Sequence, residues 1–256
     1  RPPFLALRNR TNHSVIMVDS LRLSAAAGRK LLRRIGVKGS PANLERAVEA
    51  YQGHALALTL LGTLLVSQFD GHIHHRDKVR LTEQELADGD YARAMIRSHA
   101  LALTPQERSI FRALSLYDRP AKWSSLLALL AGEHGSEPLS RLKSLTERDI
   151  NALVFKLLPT RLLIDNRAQR KTLELHPIVR DYFSAEFKEQ YPTDFRLAHG
   201  CLFDYFCRST AQRPESLTEL QPLYQAIWHG CQADRHEEAL NDVFQARIRR
   251  GDEHYS

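Results

Sequence analysis

The chain has 256 residues, of which 43 % are hydrophobic and 26 % charged, with a formal net charge of +6. This is the balance of a folded protein with room for a sizeable core, and it argues against a disordered chain or a disulfide-stapled miniprotein. The longest apolar run, Ala55 to Val66, is too short and too interrupted to span a bilayer, and Arg1-Pro2-Pro3-Phe4 does not read as a signal peptide.

The start lacks a Met, which predicts a piece of something longer. The basic charge is local: nine Lys and Arg residues between Arg1 and Lys38 stand against the single Asp19, a local +8, so the rest of the chain sums to −2. Such a patch either faces an anionic partner or is a solvated helix face. Cys201, Cys207 and Cys231 are odd in number and form no Cys-x-x-Cys, so buried thiols and a cytoplasmic location are expected.

Val15 to Val18 predicts a strand or an extended connector. Ser24 reads as the N-cap of a helix through Ile35, closed by Gly36. Gly39-Ser40-Pro41 reads as a second cap with proline in the first turn, followed by a helix over Ala42 to Tyr51. Gly53 separates it from an apolar helix over His54 to Gln68, which completes a bundle of short helices. Residues 70–90 are polar. His72, His74 and His75 lie close together there with no cysteine beside them, and a loop ending in a short helix is expected rather than a metal site.

Two helices are expected over residues 91–116, the second opened by a Thr104/Glu107 capping box with Pro105 in its first turn. Further helices are expected over Lys122 to Leu130 and within residues 138–158, with Thr146 and Asp149 as a cap pair. The pattern then changes. Arg161 to Ile164 is a short strand, Asp165 to Ala168 a turn, and Lys171 to Leu175 alternates polar and apolar residues. Pro177 opens a helix from Ile178 to Gln190. Helices followed by such a hairpin describe a winged helix. The remainder is helical, over Asp194 to Arg208, Leu217 to Ala233 and Glu237 to Arg250, and its "EAL" phrase at Glu238-Ala239-Leu240 reads like the start of tetratricopeptide-type units. The expected fold class is therefore mainly α: a helical bundle over residues 1–90, a winged helix with a short β-hairpin over 91–190, and α-α repeat-like helices over 191–256.

No Gly-x-x-x-x-Gly-Lys-Ser/Thr loop, no apolar strand ending in paired acids, no Gly-x-Ser-x-Gly and no His-Glu-x-x-His occurs, so this chain is expected to hold no complete catalytic centre. His176, between the last strand and a proline-opened helix, is the candidate that remains. It can turn a ring N–H toward a phosphate, lock the hairpin to a neighbouring domain, or simply cap the helix of Pro177.

Three phrases in order resemble a known family. Leu21 to Gly36, Gly53-His54-Ala55-Leu56-Ala57-Leu58 and Leu175-His176-Pro177-Ile178-Val179-Arg180 are similar to the ARC1 helix, the "GLPLAL" turn and the "MHD"-type joint of STAND-class signalling ATPases. The resemblance implies ADP or ATP with Mg²⁺, held by a P-loop domain that would precede Arg1. It implies that His176 reaches the β-phosphate of ADP. It also implies that Gly53 and Ala55 lie at the adenine turn, where Ala55 replaces the family's proline, and that Arg1 ends a sensor strand. The implied partners are the chain's own nucleotide-binding domain, proteins bound by the C-terminal repeats, and further copies of the protein on activation, with no membrane. Two alternatives stand beside this reading: a helical scaffold that only binds protein partners through its C-terminal repeats, and a winged-helix DNA-binding transcriptional regulator, which Arg167, Arg170 and Lys171 on the wing favour. Against it stands the apolar content of the preceding helix, which carries Ile150, Leu153, Val154, Phe155, Leu157 and Leu158.

Overall fold

The computed structural model describes residues 22–79, 90–132 and 138–250, and it divides into two compact units, Arg1–Met95 and Ile96–Ser256. The strand expected at Val15 to Val18 and the sensor position Arg1 lie outside the described residues. Among the described residues the protein is mainly helical with one small antiparallel sheet, and no helix is long and apolar enough to cross a membrane.

The first unit is built from α1 (Ala25–Ile35), α2 (Pro41–Ala50) and α3 (Ala55–Phe69), followed by a 3-10 helix over Ile73–Lys78. Each α-helix starts where a local acceptor satisfies a free backbone N–H. Ser24 Oγ accepts from Ala27 N at 3.3 Å, Ser40 Oγ from Asn43 N at 3.2 Å, and His54 Nδ1 from Ala57 N at 3.3 Å. Leu32, Leu44, Ala47, Leu58, Leu61 and Leu65 form its buried core. Gly28 lets α1 approach α2, since a Cβ there would lie 2.5 Å from a Val48 methyl.

Helix α4 (Tyr91–Ala102) begins in the first unit and ends in the second. The second unit continues with α5 (Pro105–Ser115), β1 (Ala121–Lys122), α6 (Trp123–Ala131), α7 (Ser140–Lys143) and α8 (Glu147–Leu157). Then come β2 (Leu163–Asp165), β3 (Thr172–Leu175) and α9 (Pro177–Gln190). The sheet order is β1-β3-β2, antiparallel throughout, with Leu163 opposite Leu175 and Lys122 opposite Thr172. Helix, strand, helices and then a two-stranded wing is the winged-helix order. Both expected capping boxes form, at Thr104/Glu107 and Thr146/Asp149.

Three local features differ from the sequence reading. The helix expected from Lys122 yields its first position to β1, because Ala121 and Lys122 find partners on β3 that lie far along the chain. The turn after β2 is one helical turn, Arg167–Arg170, with the Asp165 carboxylate accepting from Arg167 N at 2.9 Å. In α8 only Ile150, Val154 and Leu157 are buried, while Phe155 is 71 % exposed.

α10 (Pro192–Ser209) and α11 (Leu217–Gln232) pack as an antiparallel pair, and the short α12 (His236–Glu238) runs on into a π-helix over Ala239–Arg249. These helices are not separated from the winged helix: α10 packs on α6, and Tyr205 Oη donates to Ser124 Oγ at 3.1 Å. The winged helix and the C-terminal helices therefore share one compact unit, although the sequence divides them near residue 190. Phe111 of α5 stacks on Phe183 of α9 with ring centres 4.8 Å apart, at the centre of that unit's core.

Candidate functional site

His176 ends β3 and opens α9. Its neighbours Leu175 and Val179 are buried, which anchors the backbone on both sides of a half-buried ring. Pro177 occupies the first helical position, where its missing N–H costs nothing. His176 Nδ1 accepts a hydrogen bond from Ile178 N at 3.4 Å, so the ring caps the helix. An Nδ1 that accepts carries no proton in the neutral ring, which leaves the proton on Nε2 as a donor directed away from the helix. The rest of the phrase is also engaged. Arg180 Nη1 donates to the Asp118 carbonyl at 2.6 Å, tying α9 to the loop after α5.

Gly53 and Ala55 lie in the first unit, on either side of the cap residue His54, and His176 lies in the second. Gly53 has φ +68°, and a Cβ there would lie 2.3 Å from the Leu23 carbonyl oxygen. Gly53 O in turn accepts from Leu23 N at 2.8 Å. The close approach that needs glycine here is therefore made by the chain's own backbone. Ala55 is exposed in the first turn of α3. The rings of His72, His74 and His75 lie in a row, tilted against one another, with centres 5.3 Å and 4.0 Å apart, and His75 lies 5.0 Å from the Phe69 ring. Among the described residues no group of three or more His, Cys, Asp or Glu is arranged to hold a metal ion.

Two other polar clusters were not apparent from the sequence. His199 of α10 and His229 of α11 are 0 % and 1 % exposed, and their Nδ1 atoms lie 2.8 Å apart. Burial, reinforced by Lys188, pushes His199 down to about 3, and burial followed by the His199 charge holds His229 well below its ordinary value. His199 Nε2 has no hydrogen-bond partner among the described residues. Because an unpaired acceptor is less costly than an unpaired N–H, His199 is the ring that donates from Nδ1 and His229 the one that accepts. Arg247, on the π-helix, is also buried, and it donates to the carbonyls of Cys207, Thr210 and Ala211 at 2.7–2.9 Å. It thereby satisfies acceptors at the C-terminal end of α10, where a positive charge is favourable.

A cleft of about 740 Å³ in the second unit lies beside the wing rather than at His176. Lys122, Trp123, Asp165, Arg167, Arg170 and Lys171 line it. Arg167 forms a two-pronged ion pair with Asp165 at 2.9 and 2.8 Å and stacks 4.7 Å from the Trp123 ring centre. Its third nitrogen donates to Asn151 of α8, and Trp123 Nε1 donates to Glu147 at 2.7 Å. Neither a scan against protein-family models nor a search of curated proteins finds a match for this chain.

Proposed function

We infer that this chain is the regulatory, lid-and-lever part of a nucleotide-switched STAND-class ATPase. The observation that carries this reading is the joint of β3 and α9. His176 has one ring nitrogen fixed by Ile178 N–H, which makes the other the donor in the neutral ring, on a backbone anchored by the buried Leu175 and Val179. A donor held on a rigid strand–helix joint suits a phosphate oxygen of ADP presented by a separate P-loop domain. ADP would then favour the closed arrangement through the His176 contact. Exchange for ATP would remove that differential contact and release the winged helix with its C-terminal helices as one body. Catalysis and Mg²⁺ binding belong to the P-loop domain, and this chain supplies the lever.

The test uses the protein that carries the P-loop domain, with His176→Ala and His176→Asp. Aspartate keeps the helix cap but repels phosphate, which separates the cap from the contact. Both variants are expected to release ADP about 10- to 100-fold faster, the equivalent of about 1.5–3 kcal/mol for a hydrogen bond to a charged group. ADP dissociation unchanged in both variants rejects the clamp. This chain alone is expected to bind ADP weakly or not at all by calorimetry.

A further inference from the structure

We propose that the cleft beside the wing is a binding site for the phosphodiester backbone of nucleic acid, read without regard to sequence. Three exposed cations meet there from two places in the chain. Lys122 comes from β1, and Arg170 and Lys171 come from the end of the helical turn that precedes β3. The sheet brings them together: Lys122 pairs with Thr172, and Trp123 N donates to the Lys171 carbonyl at 2.9 Å. The side chains of Lys122, Arg170 and Lys171 make no hydrogen bond or ion pair among the described residues. The fourth cation, Arg167, is neutralised by Asp165, so the cleft presents three cations that no carboxylate pairs among the described residues, with the Glu147 carboxylate held beside Trp123.

The same geometry argues against base recognition. One face of Trp123 is covered by the Arg167 guanidinium, which occupies the position a stacked base would take. Helix α8, which in a DNA-reading winged helix would offer donors and acceptors to base edges, exposes Glu147, Arg148, Asp149, Phe155 and Lys156, and of its two cations Lys156 is engaged by Glu107. Asp149 is committed to its capping box, and its carboxyl is held below the usual range by bonds from the Thr146 hydroxyl and backbone. Two acids against the single Arg148 leave the start of α8 net negative, while the three wing cations attract the backbone of a duplex. What remains is an electrostatic, salt-dependent contact. It does not involve His176, so it stands or falls separately from the nucleotide clamp.

The experiment is fluorescence anisotropy of a labelled mixed-sequence 20-base-pair duplex, titrated with the full chain at a series of salt concentrations. The wing variant combines Lys122→Ala, Arg170→Ala and Lys171→Ala, all exposed positions whose loss should leave the melting curve unchanged. It is expected to lose at least tenfold in affinity at low salt. Its log–log salt slope is expected to be shallower by about 2–3, as for three phosphate contacts. A control variant, Lys30→Ala with Arg33→Ala and Arg34→Ala on α1, is expected to bind within twofold of the parent. In a Trp228→Phe background Trp123 is the remaining tryptophan, and its emission is expected to change on binding. The proposal is overturned if the duplex does not bind at low salt, or if the α1 variant rather than the wing variant loses binding. It is equally overturned if polyglutamate or ADP competes as well as unlabelled duplex at equal charge, since the cleft would then serve acidic protein or free nucleotide.

Discussion

Four histidines of this protein fall into two pairs that differ in what surrounds them. His54 and His176 sit at helix starts, each with Nδ1 accepting a backbone N–H two or three residues on, and each partly open to solvent. His199 and His229 lie between α10 and α11, fully buried, each other's partner, with Phe195, Phe206 and Trp228 around them. The first pair replaces what a serine or aspartate does elsewhere, and a ring used in that way keeps a nitrogen free for a ligand. The second pair has no access to a ligand and places polar atoms in an apolar core. A histidine is thus a candidate contact or a structural liability according to burial, and its sequence neighbours do not say which.

The largest effect should come from acid. An unfolded chain protonates these rings near pH 6.5, whereas folded His199 does so only near 3. The unfolded state therefore binds more protons below pH 6.5, and stability that is complete above that pH is lost as pH falls. Between pH 6.5 and about 4.5, His199 alone should cost about 2–3 kcal/mol, with His229 acting in the same direction. Urea unfolding followed by Trp228 fluorescence would read this, since that ring lies 4.8 Å from His229. The double variant His199→Leu with His229→Leu should flatten the pH dependence. A parent protein equally stable at both pH values would break the contrast between the pairs.

A smaller effect separates the members of the buried pair. His229→Leu leaves the His199 Nδ1 without its partner in a dry core and should destabilise by about 1–3 kcal/mol at neutral pH. If the double variant recovers part of that loss, the penalty belongs to the orphaned ring and not to packing. The smallest effects belong to the caps. His54→Ala and His176→Ala should each cost about 1 kcal/mol, and His54→Asn and His176→Asn should restore most of it, as thermal melts of the variants would report. Loss of stability in the asparagine variants as large as in the alanine variants would mean that the imidazoles do more than cap.

Local chemistry was legible from residue order alone. Ser24, Ser40, Thr104 with Glu107, and Thr146 with Asp149 cap the helices they were expected to open, and Pro177 starts α9. A cap is decided by atoms three residues apart, so the sequence contains nearly all of the interaction. The wing was legible for the same reason, from alternation and a short turn. His176 could be singled out as the residue of the joint, but not that its Nδ1 is taken up by Ile178. Gly53 could be read as a position of close approach, but not that Leu23 makes it.

Tertiary structure alone decided the rest, because each remaining feature joins residues far apart in the chain. Strand β1 has two residues and no propensity signal, and it exists only because β3 offers hydrogen bonds 50 to 52 residues later, with Ala121 set opposite Leu173 at one position and Lys122 opposite Thr172 at the next. The His199–His229 pair spans 30 residues, and Arg247 reaches back 36 to 40 residues to the end of α10. The basic cleft assembles Lys122 with Arg170 and Lys171 in the same way. Sequence by itself set which segments are helices, where they begin, and that a hairpin precedes Pro177. Burial and long-range pairing, which follow from how the helices pack, decided which histidines are buried and which cations stand together.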